Sequence, residues 1–334
     1  MRQVKGGKGA RKGKGASHHI WVLCQIAQMW WLAAFSVAEV PMIAGPAMGT
    51  TYRVTLAADV PGMTRGEAHR EVEAVLARID RAASTWRNDS DASRFNRAAA
   101  GEWVTVSADL AAIVETAREI HEQSAGGFDI TVGPLVRLWG SEVNEPSATA
   151  IAEAHGRVGM RMVESRPPTS EAGAALRKTD AGVEIDLSGI APGYAVDQIG
   201  ERLLELGSLS HLVELGGEVR AWGQPSEGRP WRVLLRGGHA DGERPQEIDL
   251  PDGVALATST CRPGRSPIDP RTGRPVSASR PRTAATVRAE CCAAADAWAV
   301  AAIVLDLDLE PDAAGTITAP STRAGPTAAR RAVP

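Results

Sequence analysis

The alternation of apolar and polar residues is clearest in one stretch near the middle of the chain. Residues 182–187 alternate as in a strand, two small residues follow, and apolar residues then recur every three or four positions over 196–206. This pattern predicts a strand, a tight turn at 188–189 and a helix. Small residues let a ligand approach the backbone, and a first helical turn suits phosphate. Because Asp186 and Asp197 flank the turn with negative charge, the stretch indicates either a metal–nucleotide site or an ordinary strand-to-helix connection.

The same periodicities predict further elements. Helices are predicted over 67–83, 107–124, 148–158 and 293–305, and strands over 48–56, 161–163, 176–186, 211–215, 218–222, 231–235, 253–257 and 283–289. Gly133 and Pro134 predict a turn after a short extended segment, on which Asp129 and Thr131 share one face as either a ligand contact or a tied loop. Asp296 is expected in the first turn of the last helix, where a carboxylate complements the helix dipole.

The amino-acid composition limits the classes to which the protein can belong. With 334 residues, of which 43% are hydrophobic, the chain can bury a substantial core in one large domain or two modest ones. The net charge of −3 gives no reason to expect that the body binds nucleic acid. Four cysteines show neither the density of a disulfide framework nor the spacing of zinc ligands.

Shifts in composition divide the chain into three segments. Residues 1–43 are a basic, Gly-rich leader followed by an apolar run, which resembles an export signal or precedes a true start at Met29 or Met42. Residues 44–307 carry the predicted helices and strands. Residues 308–334 are rich in Ala, Thr, Pro, Gly and Arg, and we expect them to be disordered.

Eight short motifs occur in a fixed order along the body. They are Met48-Gly49-Thr50, Ser84-Thr85-Trp86 with Ser93-Arg94-Phe95-Asn96, and the stretches 128–140, 185–197, 214–220, 257–259, 269–276 and 295–298. Over roughly residues 44–307 the chain thereby resembles the ApbE-type FAD:protein FMN transferases. The resemblance implies a single α+β domain with mixed and antiparallel sheets and packed helices. It also implies an Mg²⁺-dependent transferase that moves FMN from FAD to a Thr hydroxyl of an acceptor flavoprotein and releases AMP.

The resemblance also implies roles for individual residues. Contacts with FAD are implied for Met48, Trp86, Asp129, Ile130, Thr131, Asp186 and Ile268. Mg²⁺ would be held by the turn at Gly189 and by the carboxylate of Asp296, since this ion prefers hard oxygen ligands. Asp186, Asp296 and Ser266 are the candidate catalytic residues. The ring of Trp86 would stack on a flavin or adenine, or else cover the core.

Several positions depart from the family pattern. Ala299 and Val300 stand where the family commonly has an oxygen-bearing Thr, sometimes with an adjacent Asp, and Ser266 stands where many members have His. A serine hydroxyl cannot replace an imidazole base near neutral pH. Pro192 stands where many members have Lys, the loop over 260–266 is short, and the tail is expected to replace the usual closing strand.

These departures leave three functions open. They are an active flavin transferase, a catalytically impaired FAD-binding protein and an Mg²⁺-dependent FAD pyrophosphatase. The acceptor protein is not identified by the sequence. Because the family works largely outside the bacterial inner membrane, an exported chain would lie in the periplasm or near that membrane through its N-terminal segment, and an unexported chain in the cytoplasm.

Overall fold

A computed structural model describes residues 41–141, 145–169, 172–226, 228–235, 246–262, 264, 266–279, 283–307 and 316–320. Within these ranges the chain forms seven α-helices and fourteen strands, so the predicted α+β class is confirmed. The basic leader and most of the tail lie outside the described residues, and the three segment boundaries stay predictions. Among the helices of the described part, none combines the length and the apolarity that crossing a bilayer requires.

The elements follow one another in a mixed order. The helices are α1 Arg65–Ala83, α2 Asp91–Arg97, α3 Ala108–Gln123, α4 Gly133–Ser141, α5 Ala148–His155, α6 Ala191–Glu205 and α7 Cys292–Leu305. The strands are β1 Met42–Ala47, β2 Thr50–Leu56, β3 Val104–Thr105, β4 Val163–Arg166, β5 Ala175–Lys178, β6 His211–Leu215, β7 Glu218–Trp222, β8 Trp231–Leu235, β9 Gln246–Leu250, β10 Ala255–Thr260, β11 Ile268–Asp269, β12 Arg274–Pro275, β13 Ala284–Ala289 and β14 Thr316–Thr318.

The largest sheet has seven strands in the order β1-β2-β6-β7-β10-β13-β14. Its neighbours pair antiparallel except β13 and β14, which are parallel. This pairing brings the β1–β2 turn, the β6–β7 hairpin and the C-terminal end of β10 to the same end of the sheet. Helices α6 and α7 pack on one face, here called the inner face, and the β8–β9 hairpin packs on the other.

Local sequence signals explain the helices that were predicted well. A capping box starts α1, because Thr64 Oγ1 accepts a hydrogen bond from Glu67 N at 3.3 Å and the Glu67 carboxylate accepts one from Thr64 N at 2.7 Å. Ser107 caps α3 through its hydroxyl oxygen, which accepts from Leu110 N at 3.3 Å. Both helices begin and end within two residues of the predicted bounds.

Two predictions around the central stretch are wrong. Residues 182–187 do not form a regular strand, because only Glu184 pairs there, in a single bridge to Val132. The Asn96 side chain instead forms hydrogen bonds with both backbone groups of Ile185. Its Oδ1 accepts from Ile185 N at 2.8 Å, and its Nδ2 donates to Ile185 O at 2.9 Å. Gly133 and the following proline begin α4 rather than a turn, because proline suits a first helical turn.

Other differences concern short elements. Strand β14 pairs with β13, so the expectation that no closing strand follows the last helix is wrong. Strand β9 lies in a segment for which no strand was predicted, and β4 starts after a 3₁₀ turn at Met160–Met162. Helix α2, with seven residues, is too short to show a helical period.

Gly200 lies where α6 crosses β7. A methyl group added to it would lie 2.1 Å from the buried ring of Trp222. We expect Gly200→Ala to lower the free energy of unfolding by about 1–3 kcal/mol, measured by urea denaturation, because the ring has to shift. The matched control is Gly66→Ala in α1, where an added methyl meets nothing within 4 Å. It should be neutral or stabilising, and an equal loss in both variants would contradict this packing argument.

Candidate active site

The turn that precedes α6 is shaped by Asp186. Its half-buried carboxylate accepts hydrogen bonds from Ser188 N at 2.9 Å and from Ser188 Oγ at 2.5 Å. Its backbone N–H donates to Ile130 O at 2.7 Å, which joins the turn to the segment before α4. The predicted turn at 188–189 is confirmed. Asp186 stabilises the conformation of this turn and is also a candidate site residue.

Helix α7 runs alongside this turn and the start of α6. Gly193 N donates to Asp296 Oδ2 at 3.1 Å. One helical turn further along α7, Val300 approaches Gly189 so closely that a Cβ on that glycine would lie 3.1 Å from Val300 Cγ2. The structure therefore brings together the two positions that were predicted to hold Mg²⁺, Gly189 and Asp296. At position 300, however, α7 presents methyl groups to the turn and offers no side-chain oxygen.

Asp296 is a buried carboxylate, only 6% exposed. Burial raises its pKa to about 7, although the hydrogen bond from Gly193 N favours the charged form. It is the fifth residue of α7, so its predicted place in the first turn is wrong. Asp296 caps the first turn of α6 through Gly193 N, and its burial beside a glycine-containing turn is also typical of a functional site, where perturbed carboxylates cluster.

The N-terminus of α7 is capped by a residue from another helix. Asp197 of α6 accepts hydrogen bonds from Cys292 N at 2.8 Å and Ala293 N at 3.0 Å. Its charge is balanced by Arg220 of β7, whose Nη1 lies 2.7 Å from Asp197 Oδ1. This contact fixes where α7 starts and thus positions Asp296. Sequence reasoning missed it, although Cys291 at the N-cap position is a signal, because cysteine is a poor cap.

The donor atoms around Asp296 fit a hard cation better than a soft one. No group of three or more His, Cys, Asp or Glu residues that could hold a metal occurs in the described part of the chain. Mg²⁺ needs only one or two protein carboxylates, since it keeps waters or substrate phosphates. Glu218 of β7 is a second buried acid, and burial together with the charge of Asp296 raises its pKa well above the usual value. Two carboxylates that repel each other in this way suit a divalent cation.

The segment 129–131 is buried and internally bonded. The Asp129 carboxylate accepts from Thr131 N at 2.7 Å, from Thr131 Oγ1 at 2.5 Å and from Met160 N at 3.2 Å. Thr131 Oγ1 in turn accepts from Gly159 N at 2.6 Å, and Ile130 is also buried. Of the two roles left open for Asp129 and Thr131, the tied loop is the one their side chains perform in this structure. Contact of these three residues with FAD stays a prediction.

The remaining implied FAD contacts lie in turns and loops. Met48 occupies the β1–β2 turn with φ of +48°, a left-handed conformation that non-glycine residues rarely adopt. Trp86 is 85% exposed in the loop between α1 and α2, so it does not cover the core and its ring is free to stack on a ligand. Ile268 is half-buried in the β11–β12 hairpin, which Trp139 anchors by donating from Nε1 to Gly273 O at 2.9 Å.

Ser266 lies just before that hairpin. Its hydroxyl donates to Arg262 O at 3.2 Å. The hairpin itself is tied to the end of α7, because Arg271 pairs with Asp269 at 2.9 Å and also donates to Val304 O at 3.4 Å. The hairpin that follows Ser266 thus contacts the helix that carries Asp296, while the Ser266 hydroxyl donates to a backbone carbonyl.

Comparison with known proteins gives one consistent family. The model of the ApbE family matches residues 48–317. The chain is 33% identical to FAD:protein FMN transferase of Haemophilus influenzae over 71% of this chain and 73% of that protein. It is 31% identical to the Vibrio cholerae protein of the same name over 85% of this chain and 87% of that one.

Solved structures agree with this match. A mutant of the flavin transferase ApbE from Vibrio cholerae superposes with a TM-score of 0.72 at 31% identity, covering 81% of this chain and 88% of that one. The apo form of the flavinyl transferase ApbE from Pseudomonas stutzeri superposes with a TM-score of 0.71 at 32% identity, covering 81% and 86%. The matched range spans most of the body and ends within the closing strand β14. This protein belongs to the ApbE family.

Proposed function

We propose that this protein transfers FMN from FAD to a threonine hydroxyl of a target protein, releases AMP, and requires Mg²⁺. The observation that carries the proposal is the buried carboxylate of Asp296, which is bonded to Gly193 N beside the turn at 188–189. The relatives named FAD:protein FMN transferase support the choice of substrate and reaction.

In this proposal the protein holds the dinucleotide along one end of the large sheet. Mg²⁺ held by Asp296 and the backbone at Gly189 would offset the negative charge that grows on the pyrophosphate as its bond breaks. Trp86 stacks on one ring system, while Met48 and Ile268 provide apolar contacts to FAD. The acceptor oxygen forms a bond to the FMN phosphorus, the pyrophosphate P–O bond breaks, AMP leaves, and the acceptor proton passes to solvent.

The experiment is a labelling assay with purified protein, FAD, Mg²⁺ and a carrier protein that bears the family's acceptor threonine. We expect a covalently fluorescent carrier band together with one AMP released per FMN attached. Carrier in which the acceptor threonine is replaced by valine is the control and should stay dark. No labelled carrier at any Mg²⁺ concentration would contradict the proposal.

A second candidate is Mg²⁺-dependent hydrolysis of FAD to FMN and AMP. It is favoured by Ser266, whose hydroxyl donates to Arg262 O and carries no basic nitrogen to activate a protein acceptor. In the same assay this activity would release AMP while the carrier remains unlabelled. Tight binding of FAD without AMP release would instead indicate a catalytically impaired flavin-binding protein.

Position 300 allows a direct test of the metal site. Val300→Thr places a hydroxyl one helical turn after Asp296, and we expect it to tighten Mg²⁺ binding by about tenfold and to raise the transfer rate. Val300→Ala is the matched control, because it opens space beside Gly189 without adding an oxygen. Equal gains in the two variants would show that space, and not a missing ligand, limits the wild-type protein.

Ser266→His should raise transfer independently of metal affinity. An imidazole near the acceptor hydroxyl acts as a base near neutral pH, and we expect a rate gain of about 10²-fold. The Mg²⁺ affinity of this variant should stay at the wild-type value, measured by calorimetry. An unchanged rate would show that the residue at 266 takes no part in proton removal.

A further inference from the structure

Glu218 lies on the inner face of the large sheet. In the register of the sheet it is opposite Leu215, which in turn is opposite Tyr52, whereas Glu214 belongs to the alternate row that faces the β8–β9 side. Helix α7, which carries Asp296, packs on the inner face against β7, the strand that carries Glu218. The two carboxylates therefore approach the same space from opposite layers of the fold.

The Glu218 side chain is buried with an unsatisfied oxygen. The residue is 8% exposed, and its Oε2 has no hydrogen-bond partner in the described part of the chain. Arg220, two residues along the same face, does not neutralise it, because its guanidinium is bound to the fully buried Asp197 at 2.7 Å. Buried carboxylates in native proteins are normally paired or bound to a cation, so this oxygen requires an explanation.

The departure from the family pattern at position 300 explains the unsatisfied oxygen of Glu218. The Val300 methyl groups approach the turn at Gly189, so α7 offers only the Asp296 carboxylate to a cation on that side. We propose that Glu218 is the second carboxylate ligand of a hard divalent cation, Mg²⁺ or Mn²⁺, at Asp296, and that it provides in this chain the oxygen that Val300 lacks. This inference rests on the proposed function, because it deepens the same site.

The arrangement also explains the burial of two like charges. Without a cation, two buried carboxylates next to each other repel, which is destabilising. With a cation between them, each negative charge gains a partner, and phosphate oxygens and water complete the coordination. The two carboxylates therefore favour a hard cation that prefers oxygen ligands.

The test is titration of the purified full-length protein with Mn²⁺, with the free ion counted by its EPR signal. We expect wild-type protein to bind one Mn²⁺, and Glu218→Gln to weaken that binding by about tenfold or more. Glutamine keeps the size and the hydrogen-bonding capacity of a protonated glutamic acid, so a purely structural Glu218 would tolerate it. The matched control is Glu214→Gln, a half-buried acid of the same hairpin in the alternate row of the sheet, and its affinity should stay within about twofold of wild type.

The melting temperature distinguishes a loss of metal binding from misfolding of the variant. In EDTA, Glu218→Gln should melt at or above the wild-type temperature, because it removes an unsatisfied acid, while the rise in melting temperature on adding Mg²⁺ should be smaller than in wild type. Adding Val300→Thr to the Glu218→Gln variant should restore part of the Mn²⁺ affinity.

The outcomes separate the two proposals. Wild-type affinity in Glu218→Gln combined with weak binding in Asp296→Asn overturns the role of Glu218 and leaves the Asp296 site standing. Equal weakening by Glu214→Gln also overturns it, because the effect would not be specific to the inner face. Failure of the wild-type protein to bind Mn²⁺ overturns both the inference and the metal dependence of the proposed function.

Discussion

Asp296→Asn is expected to lower the rate of FMN transfer by about 10³-fold, because it removes a charged cation ligand at the point where the pyrophosphate develops charge. Asparagine keeps an oxygen that accepts the hydrogen bond from Gly193 N, so the local geometry should survive. Since burial raises the pKa of Asp296 to about 7, replacement by a neutral amide costs little in the cation-free protein. The rate is measured as AMP release with FAD in excess.

The stability of the same variant separates a chemical defect from a folding defect. In EDTA its melting temperature should match or exceed that of wild type, and the stabilisation by Mg²⁺ should be lost. A variant that retains more than a tenth of the wild-type rate would show that Asp296 does not hold a catalytic cation.

Asp197→Ala is expected to lower the free energy of unfolding by about 3–5 kcal/mol, because it leaves the charge of Arg220 buried without its carboxylate partner. The side chains of Arg220 and Asp197 are 12% and 0% exposed, so water cannot replace the lost contact. The change also removes the acceptor for two N–H groups at the start of α7, those of Cys292 and Ala293. Urea denaturation measures the loss.

The control is a solvent-exposed ion pair at the end of the same helix. Glu205 lies 2.9 Å from Arg202, and its side chain is 66% exposed. Glu205→Ala should cost less than about 1 kcal/mol, since exposed pairs contribute little. Asp197→Asn should fall between the two, because an amide still accepts one of the two N–H hydrogen bonds. A loss in Asp197→Ala no larger than that in the control would contradict the capping role.

The elements that sequence predicted well carry their own local signals. Helix α1 has a capping box at Thr64 and Glu67 followed by apolar residues at helical spacing, and α3 has Ser107 at its start. By contrast, residues 182–187 alternate as a strand should, yet no regular ladder forms there. Asn96 bonds the backbone of Ile185, Asp186 N donates to Ile130 O, and Glu184 forms a single bridge to Val132. The alternation of apolar and polar residues indicates which side chains are buried, but it does not indicate which groups form hydrogen bonds with the backbone.

The candidate site was predictable as a set of segments but not as a geometry. The motifs predicted one site from the turn at Gly189 and the carboxylate of Asp296, and in the structure α7 lies along that turn, with Val300 near Gly189. Binding of Mg²⁺ there stays a prediction. The error over the first turn of α7 arose because the cap of that helix comes from Asp197, 95 residues earlier in the chain. The burial of Glu218 next to Asp296 likewise depends on the pairing of β6 with β7 and the packing of α7, which no local pattern specifies.

The central claim is that a divalent cation at Asp296 holds FAD through its pyrophosphate. Calorimetric titration of FAD into the wild-type protein, with Mg²⁺ and then with EDTA, tests it most directly. We predict binding of one FAD with Mg²⁺, at least tenfold weaker binding in EDTA, and no difference between the two conditions in Asp296→Asn. Equal FAD affinity of the wild-type protein in Mg²⁺ and in EDTA would contradict the account.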